Sequence, residues 1–115
     1  MSPRNRNREA VRLQEQATIF AALGDQTRLL LVAKLADGRP YSIAQLTVGS
    51  PLTRQAITKH LRVLERAGMV RCARRGRESR FEFNPRPMEQ LREYLDRVSA
   101  QWDEALGRLK AFVEK

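Results

Sequence analysis

The sequence predicts a mainly α-helical domain that carries one small β-hairpin. Apolar residues recur at helical spacing over most of the chain, glycines and prolines stand singly where helices should end, and one stretch after residue 70 alternates around a glycine. The chain has 115 residues, of which 42% are hydrophobic, and this is enough for one packed core. We therefore expect a single domain over residues 1–115, with five helices and a two-stranded hairpin.

The first two helices are predicted from apolar spacing and from their end signals. The first should run from about Arg8 to Leu23 and stop at Gly24 in a left-handed conformation, which leaves residues 1–8 as a basic arm without fixed structure. Asp25 should cap the second helix, whose nearly continuous apolar residues indicate burial.

A helix, a tight turn and a second helix are predicted over residues 42–67. Ser42 and Gln45 have the spacing of a capping box, in which two side chains satisfy free amides at a helix start. A short third helix should follow it. Thr53 should then cap the fourth helix, and Gly68 should end it.

The fourth helix has two faces of different chemistry. At 100° per residue, Ile57, Leu61 and Leu64 form one apolar stripe, and polar residues lie opposite. Amide, hydroxyl and cationic side chains are the types that bond base edges or phosphates in a DNA major groove. Any surface helix has polar residues opposite its core stripe, so a solvated face is the alternative interpretation. The residues of this helix expected to contact DNA are Thr53, Arg54, Gln55, Thr58, Lys59 and Arg62.

Residues 70–83 alternate around Gly76 as a two-stranded hairpin would. Val70 and Cys72 should face the core together with the two phenylalanines of the second strand. Five arginines lie within ten residues, and their mutual repulsion is unfavourable unless an anion compensates it. A basic hairpin directly after a helix-turn-helix is the wing of a winged helix, which reaches phosphates or a minor groove. The arginines expected to contact DNA are Arg74, Arg75, Arg77 and Arg80.

The net charge of +9 and the pI near 11.0 indicate a polyanionic partner, either nucleic acid or an anionic membrane. The excess is concentrated between Thr53 and Arg80, where nine basic residues face two acidic ones. No apolar run approaches the length of a membrane span, and no hydrophobic segment follows the basic amino terminus. With Cys72 as the only cysteine, we expect a cytoplasmic protein with double-stranded DNA as its partner and no membrane contact.

The last helix, over residues 87–114, predicts self-association. Its apolar residues recur at alternating steps of three and four, and it would be about 42 Å long, more than a small domain can cover alone. The alternative is a stripe buried within the same chain. Balanced charge in this segment fits a protein contact rather than a DNA contact. The residues expected at a homodimer interface are Phe20, Leu91, Leu95, Val98, Trp102 and Leu109.

Three segments together resemble the bacterial arsenical-resistance-repressor (ArsR) family of winged-helix regulators. They are residues 20–28 (FAALGDQTR), residues 52–70 (LTRQAITKHLRVLERAGMV) and the arginine-rich wing, and the resemblance covers roughly residues 17–115. It implies a homodimer that represses promoters and leaves DNA when an inducer binds, with dimer contacts from the first and last helices.

The sequence departs from the metal sites that are common in that family. The region 42–46 has no cysteine, the last helix has no histidine, and His60 and Cys72 are too few for a four-coordinate zinc site. We therefore expect no metal and no cofactor, with His60 structural or phosphate-facing and Cys72 half-buried in a strand. The tail resembles a non-metal branch of the family, which implies regulation by a small organic molecule, by a protein, or by no ligand.

Two other function classes are the alternatives to a DNA-binding regulator. An enzyme is not expected, because the chain has no glycine-rich phosphate loop, no nucleophile motif and no histidine–carboxylate cluster. The other class is a winged helix that contacts protein or RNA and has no sequence-specific operator. Loss of sequence preference on changing Gln55 would separate the two binding functions.

Overall fold

The computed structural model describes residues 3–114 and contains five helices and three strands. Residues 1, 2 and 115 of the predicted domain lie outside the described residues. The predicted fold class is confirmed, with one strand more than expected. The elements in chain order are α1 (Pro3–Leu23), α2 (Gln26–Leu35), β1 (Tyr41–Ser42), α3 (Ile43–Thr47), α4 (Arg54–Arg66), β2 (Val70–Arg75), β3 (Glu78–Phe83) and α5 (Arg86–Val113).

The first helix begins at Pro3, so the prediction of an unstructured arm over residues 1–8 is wrong for the part that the structure describes. Proline is well suited to a first helical position, because the N–H that it lacks would have no partner there. The arginines that follow are good helix formers, and they continue the helix without apolar spacing. Hydrophobic periodicity placed the start of the helix at Arg8, because it cannot detect a helical segment that has no apolar residues at helical spacing.

The prediction of a left-handed stop at Gly24 is also wrong. Positive φ occurs among the described residues at four other glycines, and Gly24 is not one of them. The Gly24 amide instead closes a short turn to the carbonyl of Ala21 at 3.2 Å, and Asp25 redirects the chain in an extended conformation with φ −146°. Only two residues separate α1 from α2, so the direction changes at the cap rather than at the glycine.

The three predicted helix caps are confirmed. The Asp25 carboxylate accepts from the Arg28 amide at 3.0 Å. Ser42 and Gln45 form the complete capping box, with bonds of 3.1 and 2.8 Å. The hydroxyl of Thr53 accepts from the Ala56 amide at 3.1 Å and so fixes the start of α4.

The sheet is three-stranded and antiparallel in the order β1-β3-β2, where two strands were predicted. The additional strand pairs Tyr41 with Phe81 and Ser42 with Arg80. A strand of two residues is too short to show alternation. Ser42 was therefore recognised as a helix cap and not as part of a strand. The sheet therefore joins the helix-turn-helix to the hairpin through backbone bonds.

One core lies between the helices and the inner face of the sheet. Phe81, the largest fully buried side chain, is central to it, and residues from both halves of the chain surround it. The buried apolar residues are Ile19, Ala22, Leu31, Val32, Leu35, Leu46, Ile57, Leu61, Leu64, Met69, Val70, Phe81 and Leu91. Of the last helix, only Pro87 and Leu91 are buried, and the rest of α5 extends along the surface.

Candidate nucleic-acid interface

Helix α4 is anchored by one face and presents the other to solvent, as predicted. Ile57, Leu61 and Leu64 are at most 1% exposed and hold the helix against the core. Gln55 and Lys59 are exposed on the opposite side. Because the core stripe occupies one face completely, the polar side of the helix is held in a fixed orientation.

Hydrogen-bonding groups at the start of α4 are available to a ligand. The side chains of Arg54, Gln55 and Lys59 have no hydrogen-bond or ion-pair partner within residues 3–114. Thr58 is half-buried, and its hydroxyl donates to the Arg54 carbonyl at 2.7 Å. Thr58 therefore offers a methyl group and acceptor lone pairs, which suit a thymine methyl or an amino group.

Arg62 differs from the other predicted contacts on α4 because its guanidinium, although exposed, already contacts other side chains of the same chain. It donates to Glu65 at 2.8 Å, and this bond raises the pKa of Arg62 further above its usual value. The same guanidinium lies 5.8 Å from the centre of the Phe81 ring. Arg62 therefore joins α4 to the wing, and its charge is partly neutralised by Glu65.

The wing forms the predicted hairpin around Gly76. Its φ of 63° lies in the left-handed region, which glycine occupies without steric cost at the first position of a two-residue turn. Val70 and Phe81 are buried, and Cys72 lies half-buried opposite Phe81, as expected. The inner face thus anchors the hairpin, and its arginines project outward.

The wing arginines fall into two groups. Arg71 lies 3.7 Å from Glu82 across the hairpin, and Arg80 lies 3.4 Å from Glu78. By contrast, Arg74, Arg75 and Arg77 form no ion pair in the described part of the chain. The uncompensated charge is therefore concentrated at the tip of the hairpin.

The wing and α4 are held at a fixed angle by bonds that the sequence did not predict. After α4, Gly68 adopts φ 79°, as its predicted role at the helix end requires. The Gly68 carbonyl accepts a hydrogen bond from the side-chain amide of Asn84 at 2.9 Å. The backbone N–H of Asn84 donates to the carbonyl of Met69 at 2.8 Å. Asn84 thereby fastens the end of β3 to the end of α4. An asparagine after a strand is common in turns, so it gave no specific signal.

His60 is part of a second group of contacts that sequence reasoning missed. Its Nδ1 lies 3.3 Å from Arg28 Nη1 and 3.7 Å from an Asp25 carboxylate oxygen. Arg28 also donates through Nε to the carbonyl of Ala22 at 2.6 Å. The group joins α1, α2 and α4, and these contacts fit the structural one of the two roles expected for His60. The Arg28 amide lowers the pKa of Asp25, and the charges of His60 and Arg28 add to this effect.

The surface of α1 and α5 contains most of the residues predicted at a dimer interface. Trp102 and Leu109 are 64% and 58% exposed. Phe20 packs edge-to-face on Tyr94 with ring centres 6.1 Å apart, which joins the two helices. Leu95 is half-exposed, and Val98 is half-buried beside it.

Leu91 is a correction to the predicted interface set. It is 3% exposed and belongs to the core of its own chain. The first turns of α5 pack back on the domain, with Pro87 buried and Met88 partly buried, so the apolar stripe changes partners along the helix. The stripe that periodicity identified as one surface is therefore two, an internal one up to Leu91 and an exposed one from Leu95 onward.

Residues 3–114 contain neither a metal-binding cluster nor a membrane-spanning helix. No group of three or more His, Cys, Asp and Glu side chains is placed to hold a metal ion there. In the same part of the chain, no helix is both long and apolar enough to cross a bilayer.

Comparison with known proteins agrees with this architecture. The sequence profile described as "Bacterial regulatory protein, arsR family" matches residues 25–71. The uncharacterized HTH-type transcriptional regulator YuzN of Bacillus subtilis is 40% identical over 79 residues, which is 64% of this chain and 86% of that protein.

Solved structures show the same arrangement. An ArsR-like transcriptional regulator from Rhodococcus sp. RHA1 is 35% identical with a TM-score of 0.77, over 88% of this chain and 92% of that one. The homodimeric winged helix-turn-helix DNA-binding domain Mb0332 from Mycobacterium bovis, a possible ArsR-family regulator, has the same fold. Its TM-score is 0.66 at 20% identity, over 88% of this chain and 89% of that one.

These relatives are transcriptional regulators and not enzymes. The matched profile spans the second helix, the helix-turn-helix and the first two residues of the wing, and it therefore includes the exposed donors of α4. The chain therefore belongs to the ArsR family of bacterial transcriptional regulators, with a DNA-binding winged helix-turn-helix.

Proposed function

We propose that this regulator is a homodimeric repressor that binds an imperfect palindrome. The observation that carries the proposal is the exposed apolar row on α5, which lies apart from the DNA-binding surface. Such a row is costly to leave in water on a single chain. Its large exposed members are Leu95, Trp102, Leu106, Leu109, Phe112 and Val113.

A partner identical to the chain itself fits this row best. Charge in the segment from Pro85 onward is balanced, six basic against six acidic residues, so it has no electrostatic preference for nucleic acid. Two-fold pairing through one shared patch is the commonest form of homo-oligomer. Leu13 of α1 is 56% exposed and lines one cleft with Tyr94 and Val98 of α5, so it extends the same contact.

Within each protomer, we assign reading of bases to α4 and gripping of the backbone to the wing tip. Gln55, Thr58 and Lys59 offer donors, acceptors and a methyl group on one face, as base edges require. Arg75 and Arg77 are uncompensated cations on a hairpin tip, which suits phosphates or a narrow minor groove. Arg62 acts through its contacts with Glu65 and Phe81 to hold the two parts together.

Two-fold symmetry determines the form of the operator. Two recognition helices related by such an axis enter successive major grooves of one DNA face, so half-sites lie about 10 to 10.5 base pairs apart or a multiple of that. A dimer on a promoter excludes polymerase by occupying the same DNA. Repression follows where the palindrome overlaps the promoter, and we propose that it does.

The experiment is selection of genomic fragments by the purified protein, followed by footprinting of the enriched site. We expect one protected palindrome and a loss of protection on both halves when one half-site is scrambled. Transcription in vitro from that promoter should fall as protein is added. Retention without sequence enrichment would instead indicate a winged helix without an operator, and a rise in transcript would exclude repression.

A further inference from the structure

An apolar groove lies between α2 and the turn that leads into α4, and nothing described above uses it. Its volume is about 400 Å³, within the range of small-molecule sites. The walls come from α2 on one side and from the segment 48–52 on the other. The apolar side chains that line it are Leu30, Leu31, Leu46, Val48, Leu52 and Ile57.

Two of these side chains are unusually exposed for their size. Leu30 is 64% exposed and Val48 is 75% exposed, although neither is on the α1 and α5 surface. The predicted DNA contacts of α4 and the wing tip are also absent from the lining. The groove is therefore a separate surface, and packing of the core does not account for its apolar rim.

The groove carries a single positive charge. Lys34 is its only charged lining residue, and no carboxylate is among the others. The Lys34 ammonium donates to the Gln45 carbonyl at 3.3 Å and forms no ion pair within residues 3–114. An apolar cleft with one uncompensated cation at its edge complements a ligand that has an apolar body and one negative charge.

We propose that this groove binds a small amphipathic carboxylate, with its alkyl or aryl part between Leu30 and Val48 and its carboxylate at Lys34. The floor of the groove includes Ile57, which lies between Gln55 and Thr58 in the sequence of α4. Leu52, next to the Thr53 cap, forms part of the wall. Because Leu52 and Ile57 are both part of the lining, we expect an occupant that packs against them to shift the start of α4 and weaken DNA binding. This effect on DNA rests on the proposed function, whereas binding to the groove does not.

The test uses the whole chain with sodium octanoate as the probe and 1-octanol as its uncharged counterpart. Amide chemical shifts report where each binds. We expect octanoate to shift amides of residues 26–34, 46–52 and 57, with a Kd about fivefold lower than that of octanol. In Lys34→Gln this preference should disappear. Val48→Asp should weaken octanoate about tenfold, because it removes apolar lining and adds like-charge repulsion. Leu29→Asp, on α2 but outside the groove lining, should leave octanoate affinity unchanged.

Several results would overturn the proposal. They are shifts confined to α1 and α5, equal affinity for octanoate and octanol, or unchanged octanoate binding in Val48→Asp. The absence of any shift at millimolar octanoate would also overturn it and would favour a protein as the occupant. A second titration adds octanoate to the preformed DNA complex. Release that is lost in Lys34→Gln supports the coupling to α4, and groove binding without release overturns it. If the unmodified chain binds no DNA, the proposed function fails while the shift measurement still decides the groove.

Discussion

Trp102→Ala should separate the dimer, and the size of the effect follows from the exposure of this side chain. Trp102 is 64% exposed on the single chain. Since a tryptophan offers at most roughly 250 Å² of surface, about 160 Å² of it remains to be covered by a partner. At about 25 cal/mol/Å², full coverage is worth up to about 4 kcal/mol for each protomer.

A two-fold dimer contains two copies of Trp102, and the contribution of one copy alone corresponds to almost three powers of ten in affinity, because about 1.4 kcal/mol is a factor of ten. Part of it is offset by ordering of side chains at the interface. We therefore expect the dimer Kd of Trp102→Ala to rise at least a hundredfold. Operator affinity should fall as the dimer dissociates, because each separate protomer contacts only one half-site.

Sedimentation velocity over a range of micromolar concentrations measures the dimer Kd. Leu30→Ala is the matched control, because Leu30 is also 64% exposed but lies on the groove of α2. Its dimer Kd should equal that of the unmodified chain. An unmodified chain that is monomeric at micromolar concentration, or a Trp102→Ala variant that dimerises normally, would refute the reasoning.

Three further predictions concern the cap of α4, acid stability and metals. Thr53→Ala should destabilise the fold by about 1 kcal/mol by losing the bond to Ala56, and Thr53→Ser should restore it, as urea unfolding will show; equal stability of the two variants would contradict this. The lowered pKa of Asp25 implies stabilisation that is fully present above its unfolded value near 3.8 and lost as the pH falls through the lower folded value. The stability advantage over Asp25→Asn should therefore be present well above pH 3.8 and vanish in acid, and an advantage that persists in acid would exclude this role of the charge. Stoichiometric zinc, cadmium or arsenite should not release the protein from DNA in a gel-shift assay; tight binding of one metal per subunit that Cys72→Ser or His60→Ala abolishes would overturn this.

Local chemistry predicted the elements that position the DNA-binding surface. The capping residues were identifiable because the side-chain oxygen of a cap accepts from a backbone amide only three residues later, within the first turn of the helix. The buried stripe of α4 was identifiable because helical geometry alone brings Ile57, Leu61 and Leu64 to one side. The hairpin followed from alternation around Gly76. Each of these features depends on neighbours in sequence.

Features that depend on distant pairs were not predictable in the same way. The bond between Arg28 and His60 joins residues 32 positions apart, and the contact of Arg62 with Phe81 depends on where the wing packs. Periodicity identified the stripe of α5 but could not tell that its first part is internal, which is why Leu91 was assigned to the wrong surface. The groove beside Lys34 also comes from tertiary packing, and its lining comes from separate segments of the chain.

The division between a reading helix and a gripping wing is the central claim, and one titration tests it most directly. Gln55→Ala and Arg75→Ala are measured against operator and scrambled duplex at several salt concentrations. Gln55→Ala should cost about 1 to 3 kcal/mol on the operator and little on scrambled DNA. Arg75→Ala should weaken both duplexes equally and reduce the salt slope by about one.

Arg71→Ala serves as the control for Arg75→Ala, because Arg71 is already paired with Glu82 and should change the salt slope less. If Gln55→Ala weakens operator and scrambled duplex to the same extent, as Arg75→Ala should, the helix does not read bases and the division is contradicted.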